Sequence, residues 1–346
     1  MDSLLKHMVD MTGHRDHTML DISVIAAVQE LAGASQTRVL TIVTLRADKY
    51  VRSRAIIRAG EAACMQDQSD AHPGEPIETY PELAACLAAH EASTETIGAD
   101  GKRTLYLPIW IGDKADTCLE IVHPTPYHPD TIHIISGIVT VYRNFQNLLD
   151  YSERDSLTGL LNRKTFDDQL TKMLQASALE QEAPHLGQIE RRQALEQPKQ
   201  WLAVVDVDHF KLVNDKFGHL YGDEVLILIA NLMTSSFRSQ DRVFRFGGEE
   251  FVVLLRSTTL EHAQKIIDRF RTNVEAHLFP QVGKVTVSVG FVAISPYESP
   301  VNILGRADQA LYYAKSHGRN QACHYDQLIS GGLLAAAASN DTAEFF

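Results

Sequence analysis

The stretch "WLAVVDVDHFK" (201–211) ends an apolar run in two aspartates, Asp206 and Asp208. Side chains alternate along an extended chain, so these two carboxylates share a face. Acids at the exit of a buried strand suit a hard cation held through oxygen. Asp208 is equally suited to cap a following helix. Asp206 follows apolar and small residues and reads as buried, where a carboxylate without a metal or a base is expensive. A second stretch, "FRFGGEEFVVLL" (244–255), sets Gly247, Gly248, Glu249 and Glu250 between two runs of strand formers. These four residues read as a hairpin tip, with glycine where positive φ or close ligand approach is needed. Alone, the tip is either a solvated acidic turn or one wall of a cation site. If the strand after it pairs with 201–207, Glu249 reaches the cation of Asp206. Magnesium keeps waters and substrate phosphates in its shell, and the glycines let a polyphosphate lie against the hairpin.

The elements that must position these residues follow from periodicity and caps. Asn162 is placed to cap a helix carrying Phe166, Leu170 and Leu174. Residues 201–207 form a buried strand and 222–237 an amphipathic helix. Thr258 with Glu261 reads as a capping box before another helix. Residues 284–294 form a strand, and Ser299-Pro300 opens a last long helix that runs towards Gly318. This order predicts an α/β (α+β) domain, palm-like and related to ferredoxin-like folds. Its central sheet is mostly antiparallel and flanked by helices gathered on one face. Lys315 and Arg319 stand four apart at the end of the last helix, hence on one side.

Upstream, residues 19–127 read as a second α/β module. It has a helix ending at Gly33, strands at 38–45, 103–111 and 117–123, and a helix at 80–90. A module of this kind resembles a GAF or PAS-like sensor in architecture. Pro129 and Asp130 then open a helix in which Ile134, Ile138, Val141, Phe145 and Leu148 recur at heptad spacing. That pattern describes either a parallel pair with a second chain or a helix packed on its own module. Residues 176–200 are Gln/Glu-rich and read as a surface insertion, and the small-residue tail reads as disordered. The boundaries are therefore 1–128 for the sensor-like module, 129–154 for the helical linker, 155–326 for the catalytic-type domain and 327–346 for the tail.

The chain has 346 residues and a formal net charge of -12, which argues against nonspecific nucleic-acid binding. Its four cysteines form no CxxC pair, so neither a zinc knuckle nor a disulfide framework is indicated. No apolar run reaches membrane-spanning length and no signal-peptide core stands at the start, so membrane insertion is not expected and the cytoplasm is the expected location.

The region from Asp155 to about Tyr325 resembles the GGDEF domain of diguanylate cyclases. "DSLTGLLNR", "DVDHFKLVNDKFGHLYGDEVL", "RFGGEEF", "TVSVG" and "ADQALYYAKSHGRN" match its blocks in order. The third letter of the signature is Glu rather than Asp, which keeps the carboxylate. The resemblance implies condensation of two GTP into cyclic di-GMP with release of two pyrophosphates. It implies magnesium or manganese held by Asp206, the Val207 carbonyl and Glu249, with Glu250 beside them in the catalytic group. It implies guanine read by Asn214 and Asp223, and phosphates held around Phe210, Lys211, Gly247, Gly248, Lys315 and Arg319. "RSQD" stands just before the hairpin at the spacing of the family's product-inhibition motif, implying that Arg238 and Asp241 bind cyclic di-GMP. Because each domain holds one GTP, the resemblance also implies a homodimer, with the heptad seam as its axis. A small molecule or protein acting on the first module would be the input. The rival reading is a silent GGDEF protein serving as a cyclic di-GMP receptor.

Overall fold

The computed structural model describes residues 2–14, 16–45, 48–66, 74–182, 198–238 and 240–335. It divides into two units, Met1–Ser152 and Glu153–Phe346. Among the described residues no helix is long and apolar enough to cross a membrane.

The first unit opens with α1 (Asp2–Gly13) and α2 (His17–Ala32). The Asp16 carboxylate accepts from the Met19 N–H at 2.9 Å to cap α2, and Gly33 ends it at φ 63°. Strands β1 (Gln36–Leu45), β2 (Asp48–Arg58), β3 (Cys64–Met65) and β4 (Glu75–Pro76) follow, then helix α3 (Pro81–Ala88). Strands β5 (Thr94–Ile97), β6 (Arg103–Ile111) and β7 (Lys114–His123) complete an antiparallel sheet of order β3-β2-β1-β7-β6-β5, with β4 beside β2. The sequence pattern did not announce β2, because "DKYVRSRAIIR" scatters four cations and a serine among its apolar residues. One of those cations, Arg54, turns inward to a buried partner on α2.

Helix α4 (Pro129–Glu153) closes the unit. Its buried face is Ile135, Ile138, Tyr142, Gln146 and Leu149, and the apolar members join Val24, Val28, Val39 and Leu119 in one core. The heptad seam expected from sequence is therefore divided. Ile138 belongs to the module's own core, whereas Ile134 and Leu148 stay exposed. A 3.6-residue turn lets one helix show adjacent stripes to two surfaces, and spacing alone does not say which stripe faces inward.

The second unit runs β8 (Leu161–Asn162), α5 (Arg163–Glu182), β9 (Lys199–Val207), α6 (Phe210–Phe217), α7 (His219–Ser236), β10 (Arg242–Gly247) and β11 (Glu250–Thr258). It continues through α8 (Leu260–Ala276), β12 (Val287–Ala293), α9 (Pro300–Ser316), β13 (Ala322–His324) and α10 (Tyr325–Ser330). The sheet order is β13-β12-β9-β11-β10-β8. The central β9 lies antiparallel between β11 and β12, and the outer β8 and β13 run parallel to their neighbours.

Helices cover both faces of this sheet, not one. Ala203, Val205, Phe251 and Val289 pack with α7 and α8, whereas Leu202, Val204, Val252 and Val292 pack with α5 and α9. A strand buried on both sides has no polar alternation, which is why β9 reads as an unbroken apolar run. Three local expectations shift. The α8 cap is Thr259, whose hydroxyl accepts from the His262 N–H, one residue past the expected box. Residues 176–182 of the supposed insertion continue α5 and 199–200 begin β9, while 183–197 lie outside the described residues. Residues 327–330 of the tail expected to be disordered belong to α10, with Tyr325 and Leu328 buried against α9, and 336–346 lie outside the described residues.

Candidate active site

The sequence-selected acids meet where β9 leaves the sheet. Asp206 pairs in register with Glu250 on β11 and with Ser288 on β12. Gly247 pairs with Glu250, so the hairpin tip is tighter than four residues, with only Gly248 and Glu249 in the turn. Gly248 takes φ 47°, a conformation that explains glycine there. The Val207 N–H donates to the Glu249 carbonyl at 3.3 Å, which ties the tip to the end of β9.

Asp206 is buried, and its Oδ2 lies 2.7 Å from Lys315 Nζ, the base that its burial calls for. Even so, burial pushes the Asp206 carboxyl up from its ordinary value, against the Lys315 hydrogen bond. Burial, followed by the charge of Asp206, also pushes up Glu249 and Glu250. A fourth acid, Asp308 on α9, is pushed up to about 6 by burial and then by Glu250. The sequence reading missed it, although it stands two turns before Lys315 and so on the same face of α9. Four carboxyls thus lie within electrostatic reach of one another at this end of the sheet, raised first by burial and opposed by Lys315, Arg319 and Arg163. Their oxygen-only chemistry fits a divalent ion such as magnesium.

Asp208 does not cap the helix that follows it. It accepts from Thr286 Oγ1 and Ser288 Oγ at 2.7 Å each and from the Asn320 N–H at 3.0 Å. The last of these pins a turn in which Arg319 and Asn320 both adopt left-handed backbone, φ 61° and 44°. Asp208 therefore holds in place the turn that carries Arg319. Arg245 does similar work at the hairpin. Its guanidinium donates to the Gly248 carbonyl at 2.8 and 3.1 Å and to Asp155 at 3.0 and 3.2 Å, joining the tip to the entry motif. Neither role is legible from spacing, because Thr286, Ser288, Asn320 and Asp155 are all far away in the chain.

Two glycines set distances that larger residues would forbid. A Cβ on Gly222 would lie 2.0 Å from Asn214 Oδ1, so α7 presses directly on the residue picked to read guanine. Asn214 is half-buried there, and Asp223 is exposed on the adjacent position. A Cβ on Gly290 would lie 2.1 Å from the Ala307 carbonyl, so α9 sits against β12 and brings Asp308 and Lys315 to the acids. Phe210 is buried at the start of α6 and Lys211 is exposed; no side chain caps this helix end.

Away from the acids, Arg238 and Asp241 line a cavity of about 470 Å³ with Arg256, His262, Lys265 and Arg269. The Asp241 carboxylate accepts from the Arg238 N–H at 3.0 Å and the Arg256 N–H at 3.2 Å, so it fastens the rim of this cavity.

Residues 152–321 match the family model described as "Diguanylate cyclase, GGDEF domain". Diguanylate cyclase DgcP of Pseudomonas aeruginosa is 41% identical over 170 residues, covering 48% of this chain and 23% of that protein. Probable diguanylate cyclase DgcT of Escherichia coli is 34% identical over 212 residues, covering 57% of this chain and 42% of that protein. The chain thus spans less than half the length of these relatives. A solved structure of the coiled coil and GGDEF domain of DgcB from Caulobacter crescentus, in complex with c-di-GMP, aligns at 26% identity. It covers 56% of this chain and 97% of that one, with a TM-score of 0.49. The segment from 152 to 321, just under half of the chain, is similar to GGDEF domains.

Proposed function

We propose that this chain is a diguanylate cyclase that condenses two GTP into cyclic di-GMP with release of two pyrophosphates. The observation that carries the reading is the excess of carboxylate at the end of β9, Asp206 with Glu249, Glu250 and Asp308, inside a GGDEF domain whose motifs are all present. Asp206, the Val207 carbonyl and Glu249 would hold the divalent metal. When bound, that ion would neutralise triphosphate charge and raise the acidity of the attacking 3′-hydroxyl.

The protein's own groups do the positioning. The open start of α6, at Phe210 and Lys211, offers backbone donors and a helix N-terminus to the terminal phosphates. Lys315 lies 2.7 Å from Asp206 and would also meet a phosphate oxygen, and Arg319 would add a planar fork. Gly247 and Gly248 leave the hairpin surface bare for the triphosphate. Asn214 and Asp223 would recognise guanine, with Asp223 accepting from ring and amino N–H groups that adenine does not present. Phosphoryl transfer of this kind depends on alignment and charge neutralisation more than on covalent help.

Regulation is part of the same reading. The basic cavity at Arg238 and Asp241 suits a doubly anionic product and would slow the enzyme as product accumulates. The exposed stripe of α4, Ile134 and Leu148 with the partly covered Val141 and Phe145, would pair two chains in parallel, and the first unit, read as GAF-like, would receive the input.

Purified protein incubated with GTP and magnesium, with nucleotides resolved by chromatography, tests the proposal. Cyclic di-GMP from the wild type and none from Glu249→Ala is the expected result. A folded wild type that binds GTP and releases no product would overturn it. Arg238→Ala is expected to keep initial turnover and to lose the early plateau.

A further inference from the structure

The first unit contains a buried polar network within its apolar core. Asp21 on α2 is 1% exposed and lies at the centre of an apolar interface between α2, the sheet and α4. Its Oδ2 is 2.6 Å from Arg54 Nε of β2, and its Oδ1 accepts from Arg54 Nη2 at 2.8 Å. The Tyr142 hydroxyl of α4 donates to the same Oδ1 at 2.5 Å. Gln146, one turn further along α4, donates to the Tyr142 oxygen at 2.7 Å, and Arg54 Nη2 reaches that oxygen at 3.3 Å. Burial and the neighbouring Asp21 carboxylate push the Tyr142 phenol well up, so it remains a donor.

Three elements are thereby joined at one point, and one of them is α4, whose last residue, Glu153, begins the second unit. An apolar helix face tolerates sliding or rolling, since one aliphatic contact replaces another at small cost. A buried charge pair does not tolerate it: moving Tyr142 away leaves Asp21 with a lone pair unmatched in an apolar surrounding. Buried polar groups of this type cost stability relative to an apolar filling, and their best-attested use is to fix register.

We propose that the Asp21–Arg54–Tyr142–Gln146 network is a register lock, which holds α4 at one axial position and one rotation on the first unit. Its regulatory consequence rests on the cyclase reading: input to the first unit would act on the GGDEF domain by changing the register that this lock selects. The lock itself stands on the first unit alone.

Spin labels at Met19→Cys on α2 and Asn147→Cys on α4, in a Cys64→Ser background diluted with unlabelled chain, report the register. Both sites are exposed, Asn147 lies off the stripe proposed to pair two chains, and the remaining cysteines are buried. Pulsed electron resonance on the full chain should give one narrow distance. In the apolar variant Asp21→Leu/Arg54→Met/Tyr142→Phe/Gln146→Leu it should give a second population, displaced by up to one helical turn, about 5 Å. The single variant Tyr142→Phe keeps the Asp21–Arg54 pair and should broaden the distribution in the same direction, which decides the matter if the quadruple variant does not fold. A single unshifted distance in Tyr142→Phe and in any folded apolar variant would overturn the lock. GTP turnover measured on the same samples separates the two claims. Altered turnover with altered distances supports the regulatory consequence, and unaltered turnover with altered distances removes it while leaving the lock. A wild type without cyclase activity defeats the cyclase reading and leaves the distances to judge the register.

Discussion

Two buried carboxylates, Asp21 in the first unit and Asp206 in the second, meet opposite treatment. Asp21 is matched one to one by Arg54 and completed by a phenol and an amide. Asp206 pairs with Lys315, whose charge also acts on Glu249, Glu250 and Asp308, with Arg319 and Arg163 adding weaker positive fields. The first arrangement is electrically closed and orders the fold. The second is short of cation, and a fold does not keep like charges together at its own cost unless something else neutralises them. The same residue type at the same depth is structural in one unit and poised for binding in the other, and the difference lies in the charge count around it.

The comparison can be broken by removing one acid from each side. Asp206→Asn relieves repulsion, so thermal stability should hold or rise while cyclase turnover falls by more than about 100-fold. Melting followed by circular dichroism beside a product assay reads both. Asp21→Ala should do the reverse in kind. It strands Arg54 in the core and should destabilise the first unit by about 3–5 kcal/mol in a denaturant titration, without touching the second unit's acids.

Smaller changes sharpen the picture. Gly290→Ala would drive a Cβ into the Ala307 carbonyl, and overpacking of that kind costs about 1–3 kcal/mol. Because the displaced α9 carries Lys315 and Arg319, the KM for GTP should rise along with the loss of stability. Thr259→Ala removes the α8 cap and should cost about 1 kcal/mol with turnover unchanged. A Thr259 variant that lost activity as well would show that the site is less independent of its surroundings than described.

Much of the second unit was legible because its chemistry is local. The Asp206 strand and the double-glycine hairpin each lie within one short stretch, and the strand pairing brings Asp206 and Glu250 into register. The helical pairing expected of Lys315 and Arg319 does not hold, because α9 ends at Ser316 and Arg319 sits in the turn beyond it at φ 61°. What escaped was long-range. Asp308 carries no signal in sequence, and only the seating of α9 on Gly290 brings it towards the other acids. Arg245 carries none either, since besides the tip carbonyl of Gly248 its partner is the distant Asp155. Asp208 suited a cap or a ligand equally well, and only the placement of Ser288 and Asn320 made it a brace. In the first unit β2 was hidden because its cations suggested surface, and the inward face of α4 stayed open between two readings because a heptad seam and a core stripe differ by one residue.

The central claim is that the carboxylate excess at Asp206 is a divalent-cation site. Titration of manganese into the full chain, followed by electron resonance of the free ion, tests it without reference to turnover. Saturable binding in the wild type, weakened at least about 10-fold in Asp206→Asn and in Glu249→Ala, is the predicted result. Equal binding by wild type and both variants, with all three folded, would contradict the account.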